Sequence, residues 1–132
     1  MKMSKIGAAI VRDGKLLIVK ESGWEKYGIP GGTIKPNETD IDCLMREIKE
    51  ELSTTIKTDS LDFIGTFEDV AMNEPNKIIQ IKLYKVELED KPTKSPEIED
   101  ISWFGKNDDL NILGPIDKNY IIPALIEKGL LH

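Results

Sequence analysis

The sequence contains very few of the residues on which many enzymes depend. Its 132 residues include one cysteine, Cys43, and one histidine, His132. A single cysteine can form neither an internal disulfide bond nor a cysteine-based zinc site. His132 is the final residue and is expected to be frayed, so histidine-assisted nucleophilic catalysis within one chain is not expected. The chemistry must therefore use carboxylates, lysines, hydroxyls or a bound metal.

Long apolar runs and an excess of positive charge are also missing. No apolar run is long enough to span a membrane, and Arg12, Asp13 and Lys15 interrupt the N-terminal segment before a signal-type core develops. We therefore expect a cytoplasmic protein with no membrane partner. The net charge of -6 argues against a nucleic-acid partner, because sequence-independent binders normally present a basic face.

The length of 132 residues fits one compact domain spanning 1–132. Apolar runs at 6–12 and 15–20, separated by Asp13-Gly14, predict a β-hairpin. The glycine- and proline-rich segment after the hairpin predicts an ordered loop, and the polar AMNEPN stretch predicts a turn. Further segments predict strands at 61–70, 77–88 and 101–104, and a C-terminal helix over 117–128 that is kinked or delayed by Pro123 and ended by Gly129.

The segment 38–52 gives the clearest helix pattern. Four apolar residues recur at helical spacing and predict a buried stripe: Ile41, Leu44, Ile48 and Leu52. Asn37 or Thr39 is expected to cap the helix start. Strands before and after this helix indicate an α/β protein with a mixed sheet and helices packed on it.

The same helix carries an acidic edge that needs compensation. At about 100° per residue, Glu50 and Glu51 fall on the same side as Glu47, beside the buried stripe. Like charges at this spacing repel by about 0.2–0.5 kcal/mol per pair, and Arg46 alone cannot neutralise three carboxylates. A solvated acidic face is one interpretation. A hard divalent cation such as Mg²⁺ is the other, because it takes carboxylate oxygens.

Residues 32–54 read GTIKPNETDIDCLMREIKEELST and come directly after Pro30-Gly31. This stretch resembles the Nudix box, G-x5-E-x7-R-E-U-x-E-E-x-G-U, where U is a bulky aliphatic residue. Two positions depart from it, since Ser53 replaces the glycine and Thr54 replaces an aliphatic residue. Serine in the left-handed conformation that ends a helix would cost about 1 kcal/mol, unless the helix ends differently. The positions that match in type and spacing are Gly32, Glu38, Arg46, Glu47, Ile48, Glu50 and Glu51.

The resemblance to the Nudix (MutT-like) hydrolases implies an α/β/α sandwich with a mixed β-sheet and a Mg²⁺- or Mn²⁺-dependent hydrolase that cleaves a nucleoside diphosphate linked to another group. Glu47 is the first choice of general base and Glu50 the second, and Arg46 is expected to orient a glutamate. Glu38 either supports the loop before the helix or serves as a first-turn helix charge. The metal ligands implied are Gly31 through its carbonyl, Glu47, Glu50, Glu51 and Glu97, with Glu99, Asp100 and Glu68 as alternatives to Glu97.

Candidate substrate contacts lie mostly before the helix. Trp24 and Tyr27, in the glycine-rich loop, are the better candidates for stacking on a base, with Phe67 and Trp103 behind them. Lys20 and Lys35 lie near the Pro-Gly-Gly turn and are candidates for phosphate binding. A nucleoside triphosphate is the leading substrate. Alternatives are ADP-ribose or another nucleotide sugar, a dinucleoside polyphosphate, a non-catalytic nucleotide sensor, or a plain interaction module. An apolar strand face also leaves a homodimer possible.

Overall fold

The computed structural model describes residues 2–71 and 74–132 and contains two β-sheets and two α-helices. The strands are β1 (Lys2–Ala9), β2 (Val11–Arg12), β3 (Lys15–Glu21), β4 (Gly31–Thr33), β5 (Asp62–Ala71), β6 (Glu74–Lys85) and β7 (Ile98–Phe104). The helices are α1 (Asp40–Leu52) and α2 (Ile122–Glu127). No helix among the described residues is both long and apolar enough to cross a membrane.

One sheet is mixed and the other is antiparallel. The four-stranded sheet has the order β4-β1-β6-β5, in which β1 is parallel to β6 and antiparallel to β4. The three-stranded sheet has the order β2-β3-β7. The predicted mixed sheet is confirmed, although the predicted first strand is divided between the two sheets. Residues up to Ala9 pair in the first sheet, and only Val11 and Arg12 pair across the hairpin.

The sheets are enclosed between two helical layers, each with its own core. Residues that alternate along β3 point to opposite sides: Leu17 and Val19 pack in the core with α1, whereas Leu16 and Ile18 pack in the core with α2. Period-two alternation of this kind is what a strand buried on both faces requires. The predicted α/β/α arrangement is confirmed.

The hairpin turn is confirmed by its backbone. Asp13 and Gly14 both have positive φ, 52° and 75°, as a two-residue hairpin turn favours. The C-terminal residue is ordered, contrary to the prediction of fraying. The His132 backbone N–H donates to the Gly14 carbonyl oxygen at 3.2 Å, and Leu131 beside it is buried.

Helix α1 begins two residues later than predicted. Thr39 is its N-cap, and its hydroxyl accepts a hydrogen bond from the Asp42 backbone N–H. The prediction that Ile41 is buried is wrong, because Ile41 is 45% exposed. The buried arc of the helix runs instead through Cys43, Leu44, Ile48 and Leu52 and includes Glu51.

The later elements differ from the predicted ones in their bounds, and the strand predicted over 77–88 is β6, Glu74–Lys85. Strand β7 begins at Ile98 rather than 101, and β4, a short strand inside the predicted loop, was missed. The C-terminal helix starts as a π-helix over Asp117–Ile121 and continues as α2. Gly129 ends it with a φ of 76°. The AMNEPN turn prediction is wrong for Ala71, which ends β5, and for 74–76, which begin β6, while residues 72 and 73 lie outside the described part of the chain. Phe63, Val70 and Ile78 are exposed along β5 and β6, and the homodimer stays a prediction.

Candidate active site

The Gly31-Gly32 segment brings the chain against β1 and α1. Gly31 has a φ of 152°, and a Cβ there would overlap the Ile6 carbonyl oxygen, so this close approach to β1 requires glycine. A Cβ on Gly32 would overlap the Glu47 carboxylate. The pairs Ile6–Gly32 and Gly7–Gly31 form the register of β1 and β4. Gly31 and Gly32 thus form part of strand β4, and the Glu47 carboxylate of α1 packs directly against Gly32.

Arg46 holds the start of the helix and the acidic edge together. Its guanidinium donates to both Glu38 oxygens, at 2.7 and 2.9 Å, and to Glu47 Oε1 at 2.7 Å. Glu50 Oε2 lies 3.5 Å from the same guanidinium. The pKa of Glu38 is lowered to about 2, chiefly by its hydrogen bonds from Arg46 and from the Lys35 backbone N–H. Glu38 lies before the helix, so it supports the loop rather than acting as a first-turn charge.

Glu51 is a carboxylate buried among other carboxylates. Its side chain is 3% exposed, and Oε1 accepts a hydrogen bond from the Gly31 backbone N–H at 3.1 Å. The pKa of Glu51 is raised to about 9, chiefly by burial and next by the charge of Glu21; the hydrogen bond from Gly31 partly opposes this, and the charges of Glu47 and Glu97 add to it. A site with this much negative charge and this little solvent favours a bound cation.

Glu21 belongs to the acidic site and was missed by sequence analysis. Burial raises its pKa, Lys5 partly opposes this, and Glu97 and Glu47 raise it again. The signal in the sequence was its place at the end of the apolar run KLLIVKE, immediately before the glycine-rich loop. A charged residue that ends a buried strand beside such a loop is a candidate for a site at that sheet edge.

The remaining predicted metal ligands have different surroundings. Glu97 is exposed, its carbonyl accepts from the Ser22 N–H at 3.0 Å, and its charge acts on Glu51 and Glu21. Its alternatives have other partners, since Glu99 is 3.4 Å from Lys20 and Asp100 accepts from the Tyr27 hydroxyl. Glu68 is paired with Lys2 and Gln80.

The carboxylate set fits a hard divalent cation by its chemistry, because all its side-chain donors are oxygens. Within 2–71 and 74–132, however, no three acidic, histidine or cysteine residues already lie at metal-binding spacing. Glu47 is held by Arg46, and Glu51 is held by the Gly31 N–H. Side-chain rotation is therefore needed for the carboxylates to converge on one ion.

A cavity of about 230 Å³ opens beside the acidic site. Trp24 and Glu21 lie on its wall next to Gly31 and Gly32, and β6 contributes Ile79 and Ile81. Asp117, also missed by sequence analysis, lines the cavity and is 3% exposed. Its Oδ1 accepts from the Ile29 N–H at 3.3 Å, and burial raises its pKa to about 7. The cavity is thus mostly apolar, with one buried carboxyl group among its lining residues.

The other predicted substrate contacts are not among the described residues that line this cavity. Tyr27 donates to Asp100 Oδ2 at 2.5 Å, and the Lys20 ammonium lies 5.9 Å from the centre of the Tyr27 ring. Phe67 packs against the core on the α2 side. The Lys35 side chain is exposed. Of the six predicted substrate residues, Trp24 alone is among the described residues that line the cavity.

The fold and the acidic site together define a protein of the α/β/α sandwich type whose carboxylates suit a metal ion. The family model of the NUDIX domain matches residues 1–125. The chain therefore belongs to the Nudix family. Nudix hydrolases generally use divalent metals and act on nucleotide substrates.

Curated relatives and solved structures agree with this family. The chain is 34% identical over 100 residues to the mRNA-decapping enzyme subunit 2 of Saccharomyces cerevisiae (strain YJM789), and the match covers 74% of this chain and 10% of that protein. An m7GpppN-mRNA hydrolase from S. cerevisiae strain S288c matches equally well. The chain thus spans about a tenth of the length of these relatives.

Among solved structures, a MutT Nudix hydrolase from Burkholderia pseudomallei has a TM-score of 0.74 at 22% identity, covering 96% of this chain and 97% of that one. A UDP-X diphosphatase has a TM-score of 0.72 at 19% identity, covering 98% of this chain and 64% of that one. At these identities the likeness establishes the shared fold.

Proposed function

We propose that this enzyme is a Mg²⁺- or Mn²⁺-dependent pyrophosphohydrolase that converts a nucleoside triphosphate to the monophosphate and pyrophosphate. The observation that carries the proposal is the juxtaposition of Glu51, buried and surrounded by carboxylates, with an apolar cavity that begins at the same glycine pair. The carboxylates suit a cation that neutralises a polyphosphate. The cavity suits a planar apolar group such as a nucleobase.

The residues that would hold the cation are Glu47, Glu50, Glu51, the Gly31 carbonyl and Glu97. Glu21 is added to this set because it lies in the same acidic site. A bound divalent cation supplies polarisation of phosphoryl oxygens and a more acidic water. Glu47 is the proposed general base that takes the proton of the attacking water, and Glu50 is the second choice. Arg46 orients Glu47 through its short charge-assisted hydrogen bond.

Trp24 and Asp117 are proposed to receive the base in the cavity. The indole offers an aromatic face, and the buried carboxyl offers a hydrogen-bonding group within an apolar wall. Lys5, which lines the same cavity, is proposed to contact phosphate oxygens, since Lys20 is paired with Glu99. Lys20 and Lys35 remain proposals for phosphate contact outside the cavity.

A second candidate substrate is a nucleoside diphosphate linked to a further nucleotide, as in a dinucleoside polyphosphate. The relatives from S. cerevisiae favour it, since the name of one is m7GpppN-mRNA hydrolase. Nucleotide sugars such as ADP-ribose form a third class. The three classes differ in the group attached to the second phosphate, and that group would lie outside the cavity that receives the base.

The test is a product screen over nucleoside triphosphates, ADP-sugars and dinucleoside polyphosphates, each with Mg²⁺ and with Mn²⁺. We expect monophosphate and pyrophosphate from a nucleoside triphosphate, and loss of turnover in Glu50→Gln with an unchanged circular dichroism spectrum. Glu127→Gln, an exposed acid on α2, is the matched control. Turnover of ADP-ribose alone would contradict the proposed substrate. A raised Tm with Mg²⁺ and a nucleotide but no turnover of any compound would indicate a nucleotide sensor.

A further inference from the structure

A second groove lies beside β7 and has the opposite charge to the active site. Its volume is about 300 Å³, and its basic residues are Arg12, Lys91 and Lys94, grouped around Trp103. We refer to these four residues as the basic groove. The chain as a whole has 18 basic and 24 acidic residues, so this concentration of positive charge runs against the overall balance. Local charge, rather than net charge, determines which ligands a surface attracts.

The cations of the basic groove are available to a ligand. In the described part of the chain, none of the three forms a salt bridge with an acidic side chain. Asp100 is the one acidic residue described in the groove lining, and its Oδ2 accepts the hydrogen bond of the Tyr27 hydroxyl. The described groove lining therefore has three cations against one carboxylate, a local excess of positive charge.

Two of the cations are held in position. The Arg12 guanidinium carbon lies 5.2 Å from the centre of the Trp103 ring, a cation–π contact that fixes the guanidinium without using its N–H groups. The Lys94 ammonium donates to the Glu99 carbonyl oxygen at 3.0 Å. A stacked guanidinium with free N–H groups binds phosphate oxygens in a bidentate manner.

The loop that carries Lys91 and Lys94 also leads to the active site. The Thr93 and Ser95 N–H groups donate to the carbonyls of Leu52 and Glu51, at 2.9 and 3.1 Å, which fixes the loop to the end of α1. Glu97 lies three residues after Lys94, and three residues of chain span at most about 11 Å. Lys94 is therefore the end of the basic groove nearest the carboxylates, and Arg12 with Trp103 lies about 20 Å further along β7, since Trp103 is six residues from Glu97.

We propose that the basic groove binds the phosphodiester backbone of a single-stranded nucleic acid whose 5′ polyphosphate end lies at the carboxylate site. This rests on the proposed function. A free nucleotide that fills the cavity has no need of the groove, because the two share none of their described lining residues. A nucleotide that continues into a chain carries further phosphates, and the groove supplies cations for them.

The first test measures binding alone and does not depend on hydrolysis. A 3′-labelled decaribonucleotide with a 5′ hydroxyl is titrated with the enzyme, and binding is followed by fluorescence anisotropy at several salt concentrations. We expect binding that weakens with salt, and an approximately tenfold loss of affinity with a smaller salt slope in the Arg12→Gln/Lys94→Gln double variant. Lys128→Gln, an exposed cation at the end of α2, is the control and should bind as the wild type does.

The second test compares substrates in the same variants. The double variant should raise KM about tenfold for a 5′-triphosphorylated decaribonucleotide and leave KM for the free nucleoside triphosphate unchanged. Equal anisotropy in variant and wild type, or competition by poly-glutamate as strong as that by RNA, would overturn the groove proposal. Absence of all turnover would instead contradict the proposed function, and the binding test would still decide the role of the groove.

Discussion

The Glu47 carboxylate lies directly against the Cα of Gly32, so closely that no side chain fits between them. This relationship joins the glycine-rich strand β4 to the acidic edge of α1. It explains physically why the first position of the Nudix box is glycine, which the sequence pattern alone does not explain. The glycine leaves room for the carboxylate that Arg46 holds in place.

Replacing Gly32 with alanine should therefore damage the site more than the fold. The new methyl group would displace the Glu47 carboxylate, and a misplacement of about 1 Å in a catalytic group costs on the order of 10²-fold in rate. We expect kcat for nucleotide hydrolysis to fall by about that factor. Gly105→Ala is the matched control, because a Cβ there meets only ordinary contacts at 3.6 Å. Equal kcat in Gly32→Ala and Gly105→Ala would show that the contact between Gly32 and Glu47 is not needed for catalysis.

Glu51→Gln should make the metal-free protein more stable near pH 8. Because the folded pKa of Glu51 is raised to about 9, its contribution to stability is present below pH 4.5 and is lost as the pH rises towards 9. At pH 8 the wild-type carboxylate must take up a proton on folding, whereas glutamine is neutral in both states and keeps an oxygen to accept the Gly31 N–H. Thermal unfolding should show a higher Tm for the variant without metal. A higher Tm for the wild type than for Glu51→Gln, both without metal, would contradict this explanation.

The same variant should respond less to metal. Mg²⁺ or Mn²⁺ should raise the Tm of the wild-type protein, because a ligand that binds only the folded state stabilises it. Glu51→Gln should lose most of this increase, whereas Glu127→Gln should retain it. A metal-induced shift of the same size in Glu51→Gln would exclude this residue from the metal site.

Asp117 should make stability depend on pH in the neutral range. Its folded pKa is raised from 3.8 to about 7, so the folded state binds this proton more tightly than the unfolded state does. Its contribution is complete below pH 4 and is lost as the pH rises through 7. Asp117→Asn should therefore gain stability relative to the wild type between pH 5 and pH 8, as measured by urea unfolding. Asp62→Asn, at an exposed position, should show no such trend.

Ser53 ends α1 in the left-handed conformation, with a φ of 57° and ψ of 31°, where the Nudix box has glycine. A residue with a Cβ costs about 1–2 kcal/mol in this conformation. Ser53→Gly should therefore raise the free energy of unfolding by about 1 kcal/mol, or Tm by about 4 °C for a chain of this size. Activity should change little, because Ser53 is exposed and lies beyond the carboxylates. A lower Tm in the variant would show that serine gains a compensating interaction.

Thr54, the second departure from the box, has a reason that the sequence did not reveal. It is buried, and its hydroxyl accepts from the Asp90 N–H at 3.1 Å. An aliphatic residue there would fill the space but leave that N–H without its partner. The polar residue thus fixes the loop that leads to Lys91 and Glu97.

The sequence by itself determined the family, the helix with its acidic edge, the hairpin at Asp13-Gly14 and the glycine approach to the helix. These features are local, because helical period, turn residues and the spacing of the box all act over short stretches of chain. The sequence also left two ends for α1 open, a left-handed Ser53 or a different helix end. Ser53 adopts the left-handed conformation.

Only the tertiary structure decided which distant residues meet. Glu21 and Asp117 lie outside the box in sequence, and their importance depends on burial beside Glu51 and inside the cavity. Ile41 fits the apolar period of the helix, but the fold leaves it exposed. The basic groove likewise joins residues from β2 and the loop before β7, which no local pattern connects. Burial and charge clustering depend on packing between elements, and packing is decided by the whole fold.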